Sequence, residues 1–202
     1  MEPRHRQTLS EHLPDRSLST VEAWLDEHPV ALTISRKRNS KMGDYRPPAK
    51  NGRHRISVNG DLHPYAFLVT LTHELAHLVT WEKHKRRARP HGEQWKTQFR
   101  SMLRELWVQE IFEDGVSTIV DDFSTGKISY RMFNLRFEKL VHHIAPDTGE
   151  SLLGDLPVNA VFSLHNGRRF IKMEKVRTRF RCKELRNHRI YLISPLAKVY
   201  PE

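Results

Sequence analysis

His73-Glu74-Leu75-Ala76-His77 is the stretch of this chain whose residue types and spacing can do chemistry, and His91-Gly92 follows thirteen residues later. On a helix, two histidines four apart project from one face, about 6 Å apart along the axis, so both imidazoles can meet on one metal ion. Glu74 flanks the same face, where a carboxylate can take a proton from water acidified by the ion. That is the constellation of a zinc peptidase. Composition alone yields such a pentapeptide in about 6 % of shuffled chains of this make-up, so the surrounding sequence has to decide.

The elements around the motif must place it on a buried helix and return a further ligand to it. Pro64 to Trp81 predicts a helix from 64 to about 82, with Pro64 in a first turn where its missing N–H costs nothing. At 100° per residue, Leu68, Leu71, Leu75, Leu78 and Val79 form one stripe opposite His73 and His77, while Thr70 and Thr80 leave room beside the histidines. A plain core helix would instead bury a His-Glu-His trio without an ion, at a heavy desolvation cost.

Several residues compete for the third ligand. A metzincin would carry Gly at 80 and His at 83; Thr80 and Lys83 exclude that class. Glu93, Glu105 or Glu110 on the next helix would make a glutamate-ligated site. His84, on a continued helix, would sit about 10 Å beyond His77, too far for one ion with bonds near 2 Å. His91 is better placed: Ala88-Arg89-Pro90 breaks the helix, Gly92 permits close backbone approach, and an amphipathic helix from 92 to about 112 follows with Trp95, Phe99, Met102, Leu103 and Leu106 inward. Three neutral imidazoles plus water form the open coordination of a catalytic ion.

His73-Glu-Leu-Ala-His77, a basic connector and His91-Gly92-Glu93-Gln94-Trp95 resemble the SprT-like (Spartan-type) zinc metalloprotease family. Gly43-x-Tyr45 followed by Arg55-Ile56-Ser57-Val58-Asn59 is similar to that family's strand before the active-site helix. The resemblance covers roughly residues 18 to 110 and is specific at His-Gly-x-x-Trp. It implies His73, His77 and His91 as ligands of one catalytic zinc ion (Zn2+) and Glu74 as general base. It also implies a substrate class, because Spartan-type members are DNA-dependent proteases that degrade proteins crosslinked to DNA. A substrate strand is expected to pair with a sheet edge, either Val30 to Ser35 or Arg55 to Asn59.

Net charge +10 and pI ≈ 9.9 imply an anionic partner. Basic residues gather at Arg36-Lys37-Arg38 with Lys41 and Arg46, in an expected hairpin connection; at Lys83-His84-Lys85-Arg86-Arg87-Ala88-Arg89; and from Arg168 through Arg189. Lys83, Lys85, Arg86, Arg87, Arg89, Arg177 and Arg179 are the candidate nucleic-acid contacts, holding DNA by its phosphates without reading sequence. No apolar run is long enough for a membrane span, the polar start is no signal peptide, and the lone Cys182 allows no intramolecular disulfide; the expected place is the cytoplasm, including the nucleoid.

The expected fold class is α+β: a minimal zincin-like metalloprotease core, a short sheet plus active-site helices, with a small C-terminal β-rich basic module. Residues 1–17 read as a polar arm, 18–125 as the metalloprotease domain and 126–202 as the module, with a boundary marked by Gly126. Ser19-Thr-Val-Glu22 offers a capping box for a short helix ending before Pro29. Val30–Ser35 and 55–59 read as strands, and 114–125 gives little signal. In the last third, 159–164, 169–174, 176–182 and 189–194 read as strands, with Asn166-Gly167 as a hairpin turn. Many SprT-like proteins carry a zinc ribbon of paired cysteines there; with only Cys182 a four-ligand ribbon is not available, and His165 and His188 read as solvent-exposed or hydrogen-bonded and not as ligands. Two other classes fit the same residues: a catalytically weak nucleic-acid-binding adaptor that retains a zinc site, and a zinc hydrolase of a non-peptide bond.

Overall fold

The computed structural model describes residues 3–38, 41–49, 52–145 and 149–202. In chain order they form α1 (Pro3–Ser10), α2 (Leu18–Glu27), β1 (Val30–Ser35), β2 (Gly43–Arg46), β3 (His54–Asn59), α3 (Pro64–His84), α4 (Glu93–Val108), α5 (Asp114–Ser124) and α6 (Tyr130–Ile144). There follow β4 (Ser151–Leu152), β5 (Val161–Ser163), β6 (Arg169–Val176), β7 (Arg179–Glu184), β8 (Ile190–Ile193) and β9 (Lys198–Pro201). The fold is α+β, with six helices and two sheets among the described residues. The chain divides into two compact units, Met1–Phe137 and Glu138–Glu202, the division falling inside α6. Among the described residues no helix is long and apolar enough to cross a membrane.

The first unit is built around α3. His63 caps its start by accepting the Tyr65 N–H, and Pro64 occupies the first turn. The expected stripe is buried, but so are Phe67, Thr72, Glu74 and Ala76, so α3 is enclosed on nearly every side. It packs against β2, β3 and α4, and α4 packs in turn on α5. From the sheet, Ile56 and Val58 of β3 are buried at 1 % and 0 % exposure, the inward positions of a strand with period two.

The sheet order is β1-β3-β2, with β1 parallel to β3 (Val30↔His54 to Ser35↔Asn59) and β2 antiparallel to it (Gly43↔Val58 to Arg46↔Arg55). The connection from 36 to 53 is therefore not a hairpin between β1 and β3. Parallel neighbours need a long crossover, and this one carries β2 to the opposite side of β3. The edge assignment changes with it: β3 is paired on both sides, so Arg55 to Asn59 offers no edge, and β2 is an edge instead.

Three further readings are corrected. The segment read as a polar arm holds α1, and Leu9 and Leu13 are buried at 2 % and 7 % exposure. The helix α2 starts at Leu18, and its N-cap is Ser17, two residues before the expected Ser19; the Ser17 hydroxyl donates to the Pro14 carbonyl. The weak stretch 114–125 is α5, burying Val116, Val120 and Phe123 at i, i+4 and i+7, and α6 buries Phe133 and Phe137.

The second unit holds a sheet of order β4-β9-β5-β6-β7-β8, with every neighbour antiparallel. The expected Asn166-Gly167 hairpin joins β5 to β6. Leu153, Phe162, Phe170, Cys182 and Val199 form its core, and the Phe162 and Phe170 rings stack at 5.6 Å. Lys172, 2 % exposed, donates from its ammonium to the carbonyls of Gly154 and Leu156 and lies over the Phe180 ring, so its buried charge is compensated.

Candidate metal centre

The helix α3 puts His73 and His77 one turn apart, and the chain then has to bring His91 back. The helix stops at His84, where Lys85 takes φ 54° in the left-handed region; a short 3-10 turn follows over Lys85–Arg87. His91 also lies in the left-handed region, at φ 56°, a conformation that histidine tolerates better than most residues. Gly92 closes the turn by donating its N–H to the Arg89 carbonyl at 2.9 Å, and a Cβ there would sit 3.0 Å from that oxygen. From this tight reversal α4 departs, one turn of which brings Trp95 under the three rings.

The three imidazoles converge. The Nε2 atoms of His73 and His77 are 3.2 Å apart, and that of His91 is 3.1 Å from each. The ring centroids are farther apart, at 4.9, 5.0 and 4.8 Å, so each Nε2 points inward to a shared centre. Three nitrogens on one face of a tetrahedron with metal–nitrogen bonds of 2.0–2.1 Å would be separated by about 3.3 Å. The triangle fits that face, so the residues present could hold a metal ion. Trp95, fully buried, backs all three rings, with centroids 4.6, 5.1 and 4.7 Å from His73, His77 and His91.

Burial sets the protonation states. It holds the His73 pKa down at about 3 and the His77 pKa at about 4, with the neighbouring imidazoles adding in the same direction; the His91 pKa is lowered too, again by desolvation. All three are therefore neutral near pH 7, the form that offers a lone pair to a metal. Glu74 is 8 % exposed and lines the same cleft of ≈ 520 Å³. Burial, then the charge of Asp44, pushes its pKa up to about 7, opposed by the Tyr45 backbone N–H and by Lys41 and Arg38. The approach of β2 to this carboxylate is close: a Cβ on Gly43 would lie 2.6 Å from Glu74 Oε1 and 2.7 Å from Thr70 Cγ2. Any larger residue there would force the Glu74 or Thr70 side chain to move.

Other groups pack near the triangle, of which only Tyr45 had a sequence signal, through the Gly43-x-Tyr45 resemblance. Tyr45 stacks its ring parallel to His77 at 6.2 Å, and its hydroxyl meets His54 Nδ1 at 2.9 Å. His54 Nε2 is in turn 3.3 Å from Glu82, which also holds His28 Nδ1 at 2.7 Å. This relay ties β2, β3 and the end of α3 together behind the cleft. Tyr130, at the start of α6, brings its hydroxyl to 3.1 Å from His73 Nδ1; its position after a segment without a clear pattern hid it.

The competing ligands lie elsewhere. Glu93 is exposed and pairs with Lys96 at 2.7 Å, Glu105 accepts from Trp24 Nε1, and Glu110 and His84 are exposed; none is in the triangle. Of the candidate nucleic-acid contacts, Lys85 and Arg89 line the cleft, with the Lys85 ammonium 4.3 Å over the Trp81 ring. Lys83 donates to Gln98, Arg87 is exposed, and the side chain of Arg86 lies outside the described residues. Arg177 and Arg179 flank the β6–β7 turn in the second unit, both exposed, and among the described residues neither forms an ion pair.

Residues 15–114 match the sequence profile of the SprT-like family. No curated protein and no solved structure matches the chain.

The raised Glu74 pKa has a measurable consequence for the metal-free protein. A carboxyl with a folded value of about 7 against the ordinary 4.5 contributes stability that is fully present below 4.5 and is lost as the pH rises through 7. In chelator, the wild type should lose about 3 kcal/mol relative to Glu74→Gln between pH 4.5 and pH 8, the histidine contributions cancelling in the comparison. Urea titrations of both proteins at the two pH values read this directly, and a stability gap that did not change with pH would show that Glu74 is not held in a desolvated site.

Proposed function

Since the chain belongs, through residues 15–114, to the SprT-like family, we propose that it is a zinc-dependent metalloendopeptidase on a minimal zincin-like core, acting on DNA-associated or DNA-crosslinked proteins. The observation that carries this reading is the inward triangle of Nε2 atoms beside a buried carboxylate. His73, His77 and His91 are the ligands. Three neutral imidazoles in a tetrahedral face suit zinc among the divalent ions, and they leave a coordination position open. Bound there, zinc supplies a Lewis acid for the scissile carbonyl and acidifies water near neutral pH.

The chain's own residues do the rest. Glu74 is the general base, and its pKa near 7 lets it accept a proton and later return one to the leaving amine. The free edge of β2, whose Gly43, Asp44 and Tyr45 line the cleft, is the place for an extended substrate strand to pair. Lys85 and Arg89 on the cleft wall give it cationic character, and the net charge of +10 with the exposed Arg177 and Arg179 supplies further phosphate-binding capacity. Nucleic acid is thus read as the element that concentrates protein substrates on the enzyme.

Two measurements test the proposal. Glu74→Gln should retain its zinc but lose cleavage of a DNA-bound protein by about 10²–10⁴-fold; full peptidase activity in that variant would remove the catalytic assignment, and equal rates with and without DNA would remove the DNA-dependent part. Independently, the affinity of the full chain for a DNA duplex should fall steeply and log-linearly with salt between 50 and 200 mM, by about 10³-fold if six or so phosphates are neutralised. Binding indifferent to salt would exclude the phosphate-contact reading.

A further inference from the structure

His73 is the imidazole of the triangle with a partner on its far nitrogen that no part of the family match supplies. Its Nδ1 lies 3.1 Å from the Tyr130 hydroxyl, and Tyr130 stands at the start of α6, beyond residue 114. We infer that Tyr130 is a positioning residue for the metal centre: its hydroxyl accepts the His73 Nδ1–H and so fixes the tautomer and ring orientation that turn Nε2 inward. This rests on the metal-binding reading of the triangle, and it adds that the centre is completed by a helix outside the matched segment.

The direction of the hydrogen bond follows from valence. A phenol can donate or accept, but an imidazole whose Nε2 lone pair faces a cation carries its proton on Nδ1, so the hydroxyl must be the acceptor. Nδ1 and Nε2 point away from one another across the ring, so a hydroxyl on Nδ1 does not reach a carbonyl bound on the Nε2 side. Tyr130 therefore acts through His73 and not on substrate.

The surroundings hold Tyr130 in register. Its ring stacks on His91 at 5.6 Å and meets Trp95 edge-on at 5.0 Å, so besides bonding His73 it touches a second imidazole and the tryptophan behind the triangle. The turn leading into α6 is pinned: Lys127 pairs with Asp121 at 2.9 Å and with Asp122 at 3.6 Å, and the Ile128 N–H donates to the Asp122 carbonyl at 3.1 Å. Phe133, one turn later and 1 % exposed, stacks on Phe123 at 4.7 Å, so the core packing of α6 can be disturbed separately from the Tyr130 hydroxyl. The sequence between the third histidine and α6 thus serves the metal site at a distance.

The test uses the full chain as wild type, Tyr130→Phe and Phe133→Leu. The first variant keeps the ring and removes only the hydroxyl; the second disturbs the packing of α6 without touching the hydrogen bond. Zinc affinity is read by competition with a chromophoric chelator, the ligand field by the visible absorption of the cobalt(II) form, and folding by thermal unfolding in chelator. Tyr130→Phe should bind zinc about 10–100-fold more weakly, with altered cobalt bands and an unchanged metal-free unfolding midpoint. Phe133→Leu should lower that midpoint and keep the affinity. The inference is overturned if Tyr130→Phe binds zinc within twofold of wild type, or if Phe133→Leu weakens zinc as much, which would make the effect one of packing. A wild type that binds no zinc overturns the metal reading together with it, whereas a wild type that binds zinc and cleaves nothing leaves the affinity comparison to decide this inference alone.

Discussion

Three imidazole nitrogens, all Nε2, held within 3.2 Å of one another form an arrangement suited to a shared cation. Each ring has one proton to give, and inward lone pairs repel unless a cation lies between them. The fold enforces the arrangement. One buried helix fixes two of the rings, two left-handed residues and a glycine reverse the chain to deliver the third, and one tryptophan supports all three from behind. Backbone strain at His91 is the kind of local cost that persists where surrounding packing determines it.

The same burial sets opposite demands on neighbouring groups. It keeps His73 and His77 neutral down to about pH 3 and 4, and it makes Glu74 reluctant to ionise until about pH 7. Both effects disfavour charge in a low-dielectric site, and both favour the chemistry assigned to it: ligands that do not compete with protons, and a base poised near neutrality. The glycine of β2 matters because it lets the sheet edge close over the carboxylate without a side chain between them. Sheet edge, carboxylate and triangle are consequently one packed assembly.

Much of this was legible in the residues. The four-residue spacing fixed the first two rings, and Pro90 followed by His91-Gly92 announced the reversal that returns the third. Apolar alternation and Asn166-Gly167 revealed most of the strands of the second unit. Other features left no local trace. One is the placement of Gly43-Asp44-Tyr45-Arg46: the Gly43-x-Tyr45 resemblance marks the segment, but four residues without apolar alternation do not show that they pair with β3 and pack against α3. Parallel pairing of β1 with β3 is a long-range outcome, whereas the intervening basic loop suggested a hairpin. In α5 the stripe Val116, Val120 and Phe123 was present but diluted by Asp121-Asp122 and Gly115, and so α6 and Tyr130 after it went unassigned.

The account stands on one ion at the centre of the triangle. X-ray absorption at the zinc edge of the full chain, with metal content measured on the same sample, examines that point without recourse to any activity. One zinc per chain should be found, with three imidazole nitrogens and one further light atom at about 2.0–2.1 Å. A protein free of metal after purification and zinc addition, or a shell containing sulfur or fewer than three imidazoles, would contradict it.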